Sequence, residues 1–278
     1  MNKGYLYVLA AVILWTFVPI VVRLLLPFIS AELMLFYRFF FAALALSAII
    51  IFRKKRVKLD KGRIKIFLPL AIIYVATLYT YILGIANTKI AYVTFLQQIS
   101  PVYTFVLAYL FLKEGVKKNV YYALAISVLG ILVIFYLSGE AQGSFFGNAM
   151  AVVSGVFLAG YTVLSRYAGR KYSAEETSLW ILVIGSILLS FMLLQTPSLS
   201  LENWLLVLAL GTFSTALPLM FYTESLKFLK AQKASIMVLM MNVTIPVAAF
   251  LAFGELPKAG SVVGGLLILA AALIVLKS

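Results

Sequence analysis

Ten runs of mostly apolar residues follow one another along this 278-residue chain, each close to the length that crosses a bilayer as a helix. They cover roughly residues 5–23, 32–52, 66–86, 90–112, 119–137, 146–166, 175–195, 204–226, 232–253 and 259–276. Runs of about 20 residues are about twice the length of a membrane-crossing strand, so they read as helices. A helix also satisfies its own backbone N–H and C=O groups where there is no water to do so. The connections are short and rich in turn formers, such as Leu26-Pro27 and Asn87-Thr88, and they leave no room for a soluble domain. With 64% of residues hydrophobic and 12% charged, the chain lacks the polar surface to cover a water-facing fold. The expected fold class is an all-α integral membrane protein with ten transmembrane helices.

The basic residues set the orientation. A cytoplasmic N-terminus puts 19 Lys and Arg in cytoplasmic segments and 3 (Arg23, Lys89 and Lys258) on the other side, with Arg38 inside a span. This bias follows the positive-inside rule and predicts both termini in the cytoplasm, in a plasma or inner membrane. The formal net charge of +14 then reads as a topology signal held against anionic headgroups of the lipid bilayer, with no nucleic acid as partner. The first run is long enough to span and is followed by no small-residue cleavage site, so it reads as a helix and not as a removed signal.

The two halves resemble each other at an offset of 141 residues. Pro101 falls on Asn242, Tyr81 on Tyr222, Lys89 on Lys230 and Glu114 on Glu255. Five helices is an odd number, so a second repeat enters the membrane from the opposite side. The loop charges agree: eight basic residues follow the second span, and none lies in the equivalent segment after the seventh. The expected organisation is two inverted five-helix repeats, residues 1–140 and 141–278. Repeats of this kind share a site near the midplane, reached alternately from either side.

Polar residues within spans face the bundle interior, because lipid offers them no partner. The third span carries Tyr74, Thr77, Tyr81 and Gly84 on one face, and the offset maps these onto Thr215, Pro218, Tyr222 and Ser225. The fourth span adds Thr94, Gln97, Gln98 and Pro101, and the ninth adds Ser235 and Asn242, with Met240 and Met241 read as filler. The first span offers Trp15 and Pro19, and the sixth Ser154, Tyr161 and Ser165. The candidate substrate-binding residues are therefore Trp15, Arg38, Tyr74, Thr77, Tyr81, Gln97, Gln98, Tyr161, Tyr222 and Asn242. Three roles stay open for Arg38: a carboxylate clamp, a side chain snorkelling to the interface, or a structural bond to backbone carbonyls. Glu114 and Glu255 read as packing or capping groups, and Glu224 as the partner of Lys227 three residues on.

Several short motifs carry a family resemblance over essentially the whole chain: Ile13-Leu14-Trp15, Tyr37-Arg38-Phe39, Gly84-Ile85-Ala86, Ile99-Ser100-Pro101-Val102, Lys113-Glu114 and Phe253-Gly254-Glu255. In order and spacing they resemble the ten-helix EamA-type group of the drug/metabolite transporter superfamily. The resemblance implies export of small metabolites, often amino acids. The family's usual proline is replaced by Asn242, and Pro246 follows one turn later, so the kink in the ninth span is expected to move by about a turn.

The function expected is transport of a small-molecule substrate by a non-enzymatic protein without cofactors, with a monomer as the default state. A nucleotide-sugar or sugar-phosphate exchanger is the alternative, but it calls for paired basic residues deep in the spans, and Arg38 stands alone. A non-transport receptor or assembly role is the remaining alternative. Enzyme chemistry is disfavoured. There is no Cys or His, so thiolate and Ser–His catalysis are excluded, and Glu175-Glu176 is the nearest thing to a carboxylate cluster. Glu224 is the one modest candidate for proton coupling, which tilts the expectation towards uncoupled or exchange transport.

Overall fold

The computed structural model describes residues 3–55, 57, 60–87, 93, 96–137, 144–194, 199–254 and 259–278. Its α-helices are α1 Lys3–Trp15, α2 Val18–Leu25, α3 Ala31–Phe52, α4 Lys61–Asn87, α5 Ser100–Leu107, α6 Lys118–Leu137, α7 Phe145–Gly169, α8 Ala174–Leu188, α9 Leu201–Gly211, α10 Leu217–Phe228, α11 Ala231–Val238, α12 Met241–Phe253 and α13 Ala259–Lys277. Two π-helical turns, Ala108–Leu112 and Thr212–Ala216, extend α5 and join α9 to α10. Among the described residues there is no strand.

Among the described residues, eight helical segments are long and apolar enough to cross a membrane: Lys3–Leu25, Ala31–Phe52, Gly62–Asn87, Lys118–Leu137, Phe145–Gly169, Leu201–Phe228, Ala231–Ala252 and Ala259–Lys277. The two other expected spans take shorter forms. Of 90–112, the first residues lie largely outside the described set, and Ser100–Leu112 is a short apolar helix. Of 175–195, α8 stops at Leu188 and a 3-10 turn, Ser190–Leu194, follows. Thr94, Lys89, Glu255 and Lys258 lie outside the described residues.

Serine starts four of the helices. The side chains of Ser30, Ser144, Ser173 and Ser200 accept from the backbone N–H three residues on, at 3.4, 3.1, 3.1 and 3.3 Å. Each satisfies one of the donors that a helix N-terminus leaves unpaired. At α4, Asp60 Oδ1 accepts from the Arg63 N–H at 2.9 Å, and this bond holds the Asp60 carboxyl below its ordinary pKa.

The helices pair in a regular pattern. α4 lies along α7 and α1 along α10, while α6 packs on α13, α3 on α8 and α5 on α11. Ion pairs gather several helix ends on one face. Glu175 binds Arg53 and Lys55 at 3.4 and 2.6 Å, Glu176 binds Arg63 at 2.8 Å, and Glu114 binds Arg166 and Arg170 at 3.0 and 2.7 Å. Both chain ends lie there too: Gly4 sits against Phe228 and Leu229, and Tyr5 donates to the Val275 carbonyl at 2.8 Å. We call this the terminal face.

Among the described residues, three rods are broken, at Thr16-Phe17, Gln98-Ile99 and Leu239-Met240. The last two positions differ by the 141 residues of the sequence offset, and their hydrogen bonds correspond. Ile99 and Val102 donate back three residues to Leu96 and Ile99 at 3.4 and 2.9 Å, and Met240 and Val243 donate to Met237 and Met240 at 3.2 and 3.0 Å. The helix ends correspond as well. Lys113 and Gly254 are both left-handed C-caps, with φ of 52° and 70°.

The expected shift of the kink towards Pro246 is therefore corrected. Pro246 sits inside α12, and the rod breaks at Leu239-Met240, 141 residues after the break at Gln98-Ile99. Asn242 supplies the physical reason. Its backbone N–H and its Nδ2 both donate to the Leu239 carbonyl, at 2.9 and 3.1 Å, and hold a 3-10 break that Pro101 favours by lacking an N–H.

Candidate functional site

The breaks and bulges turn side chains inward around a cavity of about 230 Å³. Pro19 cannot donate to the Trp15 carbonyl, so α1 ends there, and the rod resumes as α2 with Pro19, Val22 and Arg23 on the lining. α3 brings Arg38 into the lining, and α4 brings Tyr74, Thr77 and Tyr81 at helical spacing. The turn before α5 contributes Gln97 and Gln98, α7 contributes Thr162, and α10 contributes Tyr222.

Among the described residues, the lining is exposed at one end of the cavity and buried at the other. Towards the face opposite the termini, Arg23 and Leu26 are exposed. Towards the terminal face, Tyr74, Thr162, Tyr222 and Ser235 are all buried. An aromatic layer forms this floor. Trp15 meets Tyr222 with ring centroids 5.4 Å apart, Tyr74 meets Tyr161 at 4.8 Å, and Tyr161 meets Tyr222 at 6.4 Å. Below the layer stands the Glu114–Arg166–Arg170 cluster. Arg166 also donates to the carbonyls of Leu226 and Lys227 at 2.5 and 3.0 Å, Gln232 donates to the Glu114 carbonyl at 2.8 Å, and Lys230 donates to the Gly115 carbonyl. Glu114 thus does more than cap or pack. It ties the end of the first half to α7 and α11, and Arg166 extends the cluster to α10. Glu224 pairs with Lys227 at 2.6 Å, as its spacing predicts.

The polar groups of the lining are held by specific partners. Gln97 Nε2 donates to Ser154 Oγ at 2.7 Å, and that hydroxyl donates to the Thr77 carbonyl at 2.8 Å, which links three rods. Tyr222 Oη and Thr162 Oγ1 share a hydrogen bond of 2.9 Å. Arg38 is buried; its Nε donates to Thr215 Oγ1 at 2.6 Å and its Nη2 to the Ser214 carbonyl at 3.4 Å. Both acceptors lie on the π turn between α9 and α10, where Thr215 Oγ1 donates five residues back to the Leu210 carbonyl at 2.8 Å. Of the three roles left open for Arg38, snorkelling is excluded by this burial.

The structure brings Trp15, Arg38, Tyr74, Thr77, Tyr81, Gln97, Gln98 and Tyr222 together on one cavity. It keeps Tyr161 and Asn242 off that wall. Tyr161 Oη shares a 3.1 Å hydrogen bond with Thr223 Oγ1 behind the floor, and the next residue, Thr162, faces the cavity instead. Asn242 spends its amide on the Leu239 carbonyl, and its neighbour Met241, read as filler, lines the cavity. Among the inward residues that sequence reasoning missed are Thr162 and Leu158 of α7. Their spacing of four on α7 is the signal that identifies that face. Tyr161→Phe is accordingly expected to cost about 1 kcal/mol, the worth of one hydrogen bond, visible as a small drop in melting temperature.

The sequence model of the EamA-like transporter family matches residues 2–136 and again residues 145–277. An "Uncharacterized transporter" of Archaeoglobus fulgidus is 30% identical over 216 residues, covering 77% of this chain and 78% of the relative. The "Pseudopaline exporter CntI" of Pseudomonas aeruginosa is 26% identical over 228 residues, covering 80% of this chain and 78% of the relative. A solved structure titled "Crystal structure of protein" superposes with a TM-score of 0.84 at 15% identity, over 98% of this chain and 95% of that one, which is a likeness of fold.

Proposed function

We propose, from the premise that this chain belongs to the EamA-like transporter family, of the drug/metabolite transporter superfamily, that it exports small organic metabolites by alternating access. Membrane transport as such follows from the family and from relatives named as transporters. The finer reading is ten spans in two inverted five-helix repeats, 1–140 and 141–278, with both termini cytoplasmic in the plasma or inner membrane. Three findings support the repeats: the family matches each half separately, the breaks at Gln98-Ile99 and Leu239-Met240 correspond, and the α4–α7 pairing mirrors α1–α10. The direction is favoured by the name of the Pseudomonas aeruginosa relative, an exporter.

One observation carries the proposal. Both repeats line a cavity that is exposed at the face opposite the termini and sealed by aromatics and ion pairs at the terminal face. Such a protein is caught in one of two accessible states, and rocking one repeat against the other produces the second. Chemistry needs no part in this, so the protein is read as a non-enzymatic transporter. The lining also suits amphipathic solutes of amino-acid size.

The test is efflux from liposomes loaded with amino acids, organic acids, sugars, phosphates and nucleosides, read by mass spectrometry. Selective, saturable loss is expected, falling about tenfold in Trp15→Ala, which removes an aromatic wall of the floor. Loss equal to that of protein-free liposomes for every solute, with and without a proton gradient, would overturn the proposal.

A further inference from the structure

The cavity's charge is one-sided. Among the described residues its lining includes two charged residues, Arg23 and Arg38, and no Asp or Glu. Arg23 stands at the exposed mouth, while Arg38 is 8% exposed, about two turns into α3. The bonds of Arg38 to Thr215 and Ser214 use neutral acceptors and leave most of a guanidinium's five N–H donors over. Among the described residues, none of the ion pairs includes Arg38.

Arg166 gives the contrast within the same protein. It is also largely buried, and it has Glu114 at 3.0 Å. A guanidinium cannot shed its proton to escape burial, so a buried one without an anion carries a desolvation penalty that neutral acceptors offset only in part. A site of this kind is completed when an anion enters. Thr215 fixes how it would enter. Its hydroxyl proton is committed to the Leu210 carbonyl, so an oxygen lone pair holds Arg38 Nε and sets the plane of the guanidinium.

We infer that Arg38 is the anchor for a singly charged organic carboxylate whose apolar body lies on Trp15, Leu158 and Tyr222. This rests on the transport reading and narrows its substrate class. One buried guanidinium matches one carboxylate, whereas a phosphate dianion calls for a second buried cation. Among the described residues the lining has no acidic side chain to receive an ammonium group, so recognition requires the acid and not the amine.

The experiment uses the purified full chain in detergent and calorimetric titration with 4-methylpentanoate, its amide and leucine, then with 3-phenylpropanoate and its amide. The acids are expected to bind about tenfold or more tightly than their amides, the scale of a hydrogen bond to a charged group. Leucine is expected to bind no more tightly than 4-methylpentanoate. Arg38→Gln removes the preference for acid over amide, and Arg38→Lys keeps part of it. Thr215→Val, which leaves the charge in place, weakens the preference several-fold and serves as the second variant if Arg38→Gln does not fold. The inference is overturned if acid and amide bind alike, if neither acid binds, or if Arg38→Gln keeps the preference. Flux of the same compounds from liposomes separates the two claims. Acid-selective binding without flux leaves the anchor standing and removes the transport reading, and equal flux of acid and amide does the reverse.

Discussion

Adding one methyl group at Gly264 is expected to destabilise the protein by about 3 kcal/mol, at the top of the usual range for overpacking. A Cβ at this position of α13 meets the Gly130 carbonyl oxygen of α6, with Ile134 Cγ1 at 2.5 Å and Ile134 N at 3.1 Å. Two of these three obstacles are backbone, which cannot rotate away. The contact is reciprocal, because a Cβ at Gly130 would meet the Gly264 carbonyl at 2.8 Å. Gly260, one turn earlier, faces Leu137 Cβ at 2.9 Å. The run Gly260 to Gly264 is thus a small-residue seam that lets two helices approach at backbone distance, where packing supplies most of the association energy in lipid. Gly265 is the control: its nearest neighbour is Val243 Cγ2 at 3.5 Å, an ordinary contact. Gly264→Ala should lower the melting temperature in detergent and reduce the monodisperse yield, while Gly265→Ala changes stability by less than about 1 kcal/mol. Equal stability of the two variants would remove the seam from the account.

The second large effect is conformational. Glu114→Gln keeps the size of the side chain and removes the charge that Arg166 and Arg170 share on Oε1. Arg170 is half exposed, so its pair is screened and contributes little. Arg166 is the important partner, with 15% side-chain exposure against 10% for Glu114. Losing a hydrogen bond to a charged group there is worth about 1.5 kcal/mol, or about tenfold in population. On the alternating-access proposal, the released state is the one that opens at the terminal face. The chain has no cysteine, so Ser178→Cys introduces a single thiol, at a buried position whose hydroxyl bonds Thr223 just beneath the aromatic floor. Its reaction with a membrane-impermeant maleimide from the terminal face should speed up about tenfold when Glu114→Gln is added. An unchanged rate would mean that the cluster stabilises the fold without controlling access.

Much of this architecture is legible in the sequence because lipid imposes strict rules. Span length, the basic loops and the face of α4 bearing Tyr74, Thr77 and Tyr81 follow from thickness, charge and helical spacing. The repeat offset of 141 residues reappears in hydrogen bonds that few sequence identities suggest. The misreadings share one cause, which is that a polar side chain in a membrane can be satisfied locally. Asn242 reads as a cavity group because an amide in lipid needs a partner, and it finds that partner in a carbonyl three residues back. Tyr161 finds Thr223, and so the inward position passes to Thr162. The setting of Arg38 depends on a π turn at Thr212–Ala216, for which Pro218, with no N–H to offer the Ser214 carbonyl, is the sequence signal. The Glu114–Arg166 pair joins residues 52 apart in sequence, and span-by-span reading has no means of pairing them.

Sided labelling of a cavity residue tests alternating access most directly. Ser235 lies on the lining at 5% exposure, and Ser235→Cys gives a protein with a single thiol in oriented liposomes. The account predicts that an impermeant maleimide reaches this thiol from both faces of the membrane, and that a transported solute slows both reactions. Labelling from one face alone, whatever solute is present, would contradict it.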